Sequence, residues 1–221
     1  MEHITRFNKT DEGEAVKRTK QEKQEMFRQL ALQGPKIVID LDFEKLQTEK
    51  EVKSLCQQVC FCTNINKQAK VPMNLVLSGV GGQIRAQLEK QNCKNWPVTI
   101  HTDSYSNHFA KNELVYLTAD SEHCIEELDS TKTYIIGGIV DRNRYKNLTL
   151  KKAMDEGIAH AKLPIGELMK LKSSTVLTVN HVFDILCEWY QCKNWKSALD
   201  KVVPERKQDK EATVVVEESK E

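Results

Sequence analysis

The sequence predicts an α/β fold, a mainly parallel sheet flanked by helices. Short runs rich in β-branched and aliphatic residues recur from Lys36 to Val179. Segments with apolar residues at helical spacing stand between several of them. Hydrophobic content is 39% in a chain of 221 residues, which is enough apolar material for a core. Strands that alternate with helices pack as a parallel sheet covered on its faces.

The elements follow in order. Residues 1–33 are polar, with Lys17, Arg18, Lys20, Lys23 and Arg28 among glutamates, and read as a mobile arm or a fraying helix. "KIVIDLD" (36–42) follows Gly34-Pro35 and reads as a strand. Thr48 and Glu51 stand at capping-box spacing, with Val52, Leu55, Cys56 and Val59 at helical spacing behind them. "MNLVLSG" (73–79) reads as a second strand, and "GGQIRAQLEKQ" after it as a helix. "VTIHT" (98–102), "LVYLT" (114–118), "TYIIGGIV" (133–140), "AKLPI" (161–165) and "TVLTV" (175–179) are five further strand candidates. Segments 121–128 and 149–160 read as helices. The last strong helix starts near Thr178 or Asn180 and carries Val179, Val182, Phe183, Leu186 and Tyr190 on one face. Residues 205–221 read as a charged, disordered tail. The expected organisation is an arm over 1–34, one domain over 35–204 and the tail.

In parallel α/β sheets, ligands bind beyond the carboxyl ends of the strands. "LTADS", "GGIVDRNR", "KLPI" and the turn before "TVNHVFDIL" are therefore the candidate rim segments.

Bulk charge excludes little. The chain has 33 basic and 32 acidic residues, a net charge of +1, which leaves room for a local basic patch. Seven cysteines, with no CxxC pair, fit reduced thiols better than a disulfide scaffold. Cys60-Phe61-Cys62 has no partner pair at zinc spacing, so no metal is expected from it. No apolar run reaches membrane-spanning length, and the first residues show neither a signal-peptide core nor the acid-poor composition of a transit peptide. The expectation is an intracellular protein of nucleus or cytoplasm.

"SGVGGQI" (78–84) is glycine-rich after a strand, but Ile84 stands where the dinucleotide fingerprint needs its third glycine, and no Walker lysine follows. A tight strand-to-helix turn is the better reading. Gly137-Gly138 inside an apolar strand marks either a bulge or the close approach of a ligand or another backbone. Asp141 either caps its turn or pairs with an adjacent arginine, or it acts as a general base or cofactor-orienting carboxylate. Arg142, Arg144, Lys146, Lys151 and Lys152 form either a solvated face or a phosphate-binding patch. His181, at a helix start, shows no catalytic spacing.

"VYLTADS" (115–121), "YIIGGIVDRNRYKNLTLKKA" (134–153), "GIAHAKLPI" (157–165) and "VLTVNHVFDIL" (176–186) resemble the signature blocks of the tRNA (guanine-9-N1)-methyltransferases. These are the monomeric branch of the SPOUT superfamily. "IDLDF" (39–43) and "LSGVGGQ" (77–83) sit where that family has similar blocks.

The resemblance implies a SPOUT-type domain with a C-terminal trefoil knot, S-adenosyl-L-methionine as methyl donor, and transfer to N1 of the purine, most often guanine, at tRNA position 9. It implies a monomer with tRNA as partner and no metal. It puts the general base on Asp141. It puts cofactor contacts on Leu117, Gly137, Asp141, Arg142, Asn143, Arg144, Tyr145, Thr149, Leu163, Thr175, Val176 and Leu177, with Asn180 in a matching block. RNA contacts are expected from Arg142, Arg144, Lys146, Lys151 and Lys152. A tRNA-binding scaffold subunit of a processing complex, with little methyl transfer of its own, is the alternative from another class. A SPOUT methyltransferase with a different RNA target is a third.

Overall fold

The computed structural model describes residues 19–169 and 176–203. Its centre is strand β1, Lys36–Asp40, whose residues after Lys36 are all buried, as a strand covered on both faces requires. It pairs in parallel with β2, Asn74–Ser78, on one side and with β5, Thr133–Gly137, on the other. β3, Thr99–Ile100, extends the sheet beyond β2. β4, Leu114–Leu117, lies beyond β5, and β6, Ala159–Ala161, forms that edge. The order is β3-β2-β1-β5-β4-β6, and every pairing is parallel.

Alternation along the strands separates two apolar layers. Ile37, Ile39, Leu75, Leu77, Tyr134 and Ile136 belong to the larger layer. It includes residues of α2 (Glu49–Gln68), α3 (Gly82–Lys90), α6 (Val179–Cys192) and α7 (Trp195–Val202). Val38, Val76, Tyr116 and Ile135 face the opposite way, toward Tyr105 and toward Ala153 of α4, Leu148–Glu156. Helix α1, Lys20–Leu32, begins at a complete Thr19/Glu22 capping box, and Gln24 Nε2 donates to the Asn95 carbonyl at 2.6 Å. Part of the expected arm is thus an ordered helix against the domain. Residues 1–18 and 204–221 lie outside the described residues. The predicted box at Thr48 and Glu51 is present at the start of α2.

Three local expectations fail. Segment 121–128 is not helical. Ile125 N–H donates to the Lys162 carbonyl and Lys162 N–H to the His123 carbonyl, so this backbone continues the sheet edge as a bridge. The strand expected over 161–165 is shifted to Ala159–Ala161. Beyond it, Pro164, without an N–H to give a ladder, begins the short helix α5, Ile165–Leu168. "TVLTV" is not a strand over its described residues: 176–178 are irregular, and α6 starts at Val179, whose N–H donates to Gln58 Oε1 at 3.1 Å. Thr175 lies outside the described residues.

Candidate functional site

Where β4, β5 and β6 end, the chain leaves a cavity of about 380 Å³, within the size range of small-molecule and cofactor pockets. The end of β4 supplies Leu117, Thr118 and Ala119, and β5 supplies Ile136 and Gly137. Ile139 and Asp141 follow from the β5 exit, and Thr149 comes from α4. Lys162 to Glu167 form the wall after β6, and Val176, Leu177, Val179 and Val182 close it from the start of α6. Lys162 and Glu167 add one charge of each sign to a wall built largely of aliphatic side chains.

Glycine at 137 and 138 is required by close packing within the chain. A Cβ at Gly137 would come 2.7 Å from Thr149 Cγ2, and Thr149 Oγ1 is fixed by a 2.8 Å bond to Thr118 Oγ1. A Cβ at Gly138 would meet the Asp40 carbonyl oxygen at 2.6 Å, the same oxygen that accepts the Gly138 N–H at 2.7 Å. Of the readings open for this pair, close approach is the one observed, by another backbone at 138 and by a side chain at 137. Gly137 also faces the cavity.

Asp141 reaches the cavity while capping its own turn. Its Oδ1 accepts the Asn143 N–H at 2.8 Å and its Oδ2 accepts the Tyr145 N–H at 2.9 Å. Arg142 and Asn143 between them have φ of 52° and 62°, left-handed conformations uncommon for non-glycine residues. The cap offsets that local cost. The turn is held from outside as well. Gln47 Oε1 accepts the Val140 N–H at 2.8 Å, Arg144 pairs with Glu51 Oε2 at 3.0 Å, and Asn147 N–H donates to Asp120 at 2.9 Å.

Of the expected cofactor residues, Leu117, Gly137, Asp141, Thr149, Leu163, Val176 and Leu177 line the cavity. Arg142, Asn143, Arg144 and Tyr145 do not; they form the turn beside it. Asn180 is also absent from the lining, although its neighbours Val179 and Val182 contribute. The five expected RNA contacts divide. Arg142, Lys146 and Lys151 are exposed, and Arg144 is exposed but paired. Lys152 departs from the expected basic lip: its ammonium turns inward to Asp40 Oδ2 at 2.7 Å. Asp40 is 1% exposed and also accepts the Tyr116 hydroxyl at 2.7 Å. Burial, then the Asp40 charge, pushes the Tyr116 phenol well above its ordinary range, so it donates to Asp40 as a neutral hydroxyl.

The lining also includes residues that sequence reasoning missed. Lys162, Pro164 and Ile165 sit inside the "AKLPI" block and were open to selection with Leu163. Glu167 gave no signal, because an acid in a first helical turn has an ordinary explanation in the helix dipole. The other glycine-rich turn, at 79–82, is met by a carboxylate of the protein itself. Glu44 fills the start of α3, its carboxylate accepting the Gln83 and Ile84 N–H groups at 3.0 Å each.

Comparison with known proteins fits this geometry. The sequence is 42% identical over 208 residues to the tRNA (guanine(9)-N1)-methyltransferase of Schizosaccharomyces pombe, covering 91% of this chain and 68% of that protein. It is 39% identical over 176 residues to the human tRNA methyltransferase 10 homolog A, covering 78% of this chain and 52% of the relative. The chain thus spans about half the length of that human relative. The crystal structure of full-length spTrm10 in complex with SAH superposes with a TM-score of 0.72 at 43% identity, over 76% of this chain and 94% of that one. A Trm10 from Thermococcus kodakaraensis, 21% identical with a TM-score of 0.61, shares the fold over 76% of this chain and 99% of that one. The profile of the tRNA (guanine(9)-N(1))-methyltransferase TRM10/TRM10A family matches residues 2–208, and the chain belongs to that family.

Proposed function

We propose that this protein transfers the methyl group of S-adenosyl-L-methionine to N1 of guanine 9 in tRNA. The observation that carries the reading is the cavity at the ends of β4, β5 and β6. It is lined by seven of the twelve residues the family blocks single out, in a chain 43% identical to a protein crystallised with SAH. Leu117, Leu163 and Leu177 offer an apolar bed for a purine ring. Lys162 and Glu167 suit the zwitterionic amino-acid end of such a cofactor.

The chemistry asks little of the protein beyond placement and one proton acceptor. N1 of guanine carries a proton at neutral pH and is a poor nucleophile until that proton leaves. In the proposed step the methyl carbon–sulfur bond breaks as the N1–carbon bond forms. The N1 proton passes to the Asp141 carboxylate, and the sulfonium becomes a neutral thioether. A carboxylate within hydrogen-bond reach is a competent base for this, and alignment of the reactants supplies much of the remaining acceleration. Arg142, Lys146 and Lys151, exposed beside the cavity, would hold the tRNA backbone. Position 9 lies in the folded core of tRNA, so the base must leave its stack to reach Asp141. The reading includes a trefoil knot in the C-terminal half, a monomeric enzyme and an intracellular location. Among the described residues no helix is long and apolar enough to cross a membrane.

The test is single-turnover methylation of unmodified tRNA, with mapping of the modified nucleotide. N1-methylguanine at position 9 is expected, and a different nucleotide would overturn the assignment. Asp141→Asn separates base from turn cap. The base role predicts a rate lowered by about a hundredfold, the low end of the general-base range, with a changed pH dependence and retained SAH affinity. An unchanged pH profile would leave Asp141 as a turn cap only.

A further inference from the structure

On the far side of the same rim, the chain gathers three metal-ligating side chains that no step above uses. His101, Asp103 and His108 each offer one ligand atom, and all of these atoms lie within 4.8 Å of one another. We propose that this is a binding site for a borderline divalent transition ion of the zinc class, held by two imidazoles and one carboxylate.

The donor set is the first argument. Two histidines with one carboxylate is a ligand combination that zinc accepts, with solvent completing the coordination. Tetrahedral ligands at bond lengths of about 2.0–2.1 Å stand about 3.3 Å apart. The widest pair here must therefore close by at most about 1.5 Å, within reach of side-chain rotation alone. One pair is already close, His108 Nε2 lying 2.8 Å from Asp103 Oδ1. The rings of His101 and His108 are stacked, centroids 3.6 Å apart and planes 16° from parallel, so the two imidazoles are neighbours, and one ring must turn about its side-chain bonds for both in-plane lone pairs to meet one ion.

The backbone that carries the ligands is the second argument, because metal sites gain affinity from fixed supports. His101 N–H donates to the Leu77 carbonyl at 2.8 Å, and the Val80 N–H to the His101 carbonyl at 3.0 Å. The Asp103 carbonyl accepts both the Gly79 N–H at 2.9 Å and the Ser78 hydroxyl at 3.0 Å. His108 is returned to this pair by a short 3₁₀ turn, Tyr105–Asn107. That turn is anchored by the fully buried Tyr105, whose hydroxyl donates to Glu156 at 2.7 Å. Asn107 Nδ2 donates to Asp103 Oδ2 at 3.0 Å, orienting the carboxylate so that Oδ1 faces the imidazoles. Asp103 and His108 are exposed and His101 is half-buried, so an ion can enter from solvent. β3 is three places from β5 in the sheet, which puts the proposed ion roughly 14 Å along the strand ends from the cofactor cavity. It is a second site, separate from the chemistry.

The test is titration of the chelator-stripped full chain with zinc chloride, read by calorimetry and by thermal melting. One ion per chain and a raised melting temperature are expected. His101→Ala and His108→Ala should each weaken binding at least about tenfold, and Asp103→Asn should weaken it less. Cobalt(II) supplies a readout on the unaltered protein, which matters because the chain has seven cysteines. Visible ligand-field bands without thiolate charge transfer are expected. No bands and no heat at millimolar metal would overturn the proposal. So would zinc binding unaffected by His101→Ala, or a thiolate band, which would assign the ion to cysteine.

Discussion

Two strand exits in this molecule are built from paired glycines, and they end differently. After β2, "SGVGG" runs into α3, whose first amides are covered by Glu44. After β5, "GGIVD" runs into a turn that faces the cavity. The neighbouring groups come from the end of β1 and the connection that follows it. Asp40, the last residue of β1, accepts Lys152 through its carboxylate and sets its carbonyl against Gly138. Glu44, four residues on, fills the α3 side. A glycine pair after a strand therefore makes room, and the neighbouring chain decides whether that room is filled by a protein carboxylate or left to a ligand.

Perturbing each exit separately sharpens this contrast. The largest effect is expected at Lys152. Lys152→Met leaves the buried Asp40 carboxylate with only the Tyr116 hydroxyl and the Asp42 N–H as partners, and removing one member of a buried pair costs about 3–5 kcal/mol. Urea unfolding measures it, with exposed Lys151→Met as a control expected within about 0.5 kcal/mol. Equal losses for the two lysines would mean that the ion pair is not what secures α4.

Next come the glycines of the β5 exit. Gly138→Ala drives a Cβ into the Asp40 carbonyl and should cost about 1–3 kcal/mol, as overpacking does. Gly137→Ala pushes Thr149 toward the cavity, so SAH affinity should fall at least about tenfold, or about 1.4 kcal/mol. Calorimetric SAH titration of the two variants, each with its urea curve, reads both effects. If Gly137→Ala bound SAH as tightly as the parent, the cavity would not be the cofactor site.

At the β2 exit the effects are smaller and confined to stability. Glu44→Ala strips the first amides of α3 and should cost about 1 kcal/mol, in the range of a lost helix cap, with SAH affinity unchanged. A drop in affinity would show that the two exits are coupled. Gly81→Ala meets nothing within 4 Å, and its φ of −137° is open to any residue. Its unfolding free energy should stay within about 0.5 kcal/mol of the parent.

Much of the fold was legible because strands and helices carry their own periodicity. β1, β2 and β5 read correctly since each is a short buried apolar run bounded by glycine, proline or polar residues. The start of α2 read correctly since a capping box is a local device. Segment 121–128 misled because its Ile125 N–H and His123 carbonyl both pair with Lys162, about forty residues away, and no local pattern reports that. "TVLTV" misled because β-branched residues serve a strand or an apolar wall equally well. Family blocks named the cavity residues of β4, β5 and α4. They also named Arg142 to Tyr145, which form the turn beside the cavity that Asp141 caps.

By itself, the sequence determined the α/β class, the three central strands, the capped start of α2 and the segments that meet at the rim. These depend on propensity, capping and hydrophobic period, all properties of a few adjacent residues. Only the tertiary structure decided which cation of "RNRYKNLTLKK" faces solvent and which is buried on Asp40. It alone decided that Glu44 closes one glycine turn while the other opens on a cavity, and that His101, Asp103 and His108 share one place. Those outcomes depend on which distant group reaches a given point in space, and burial then fixes what its charge is worth.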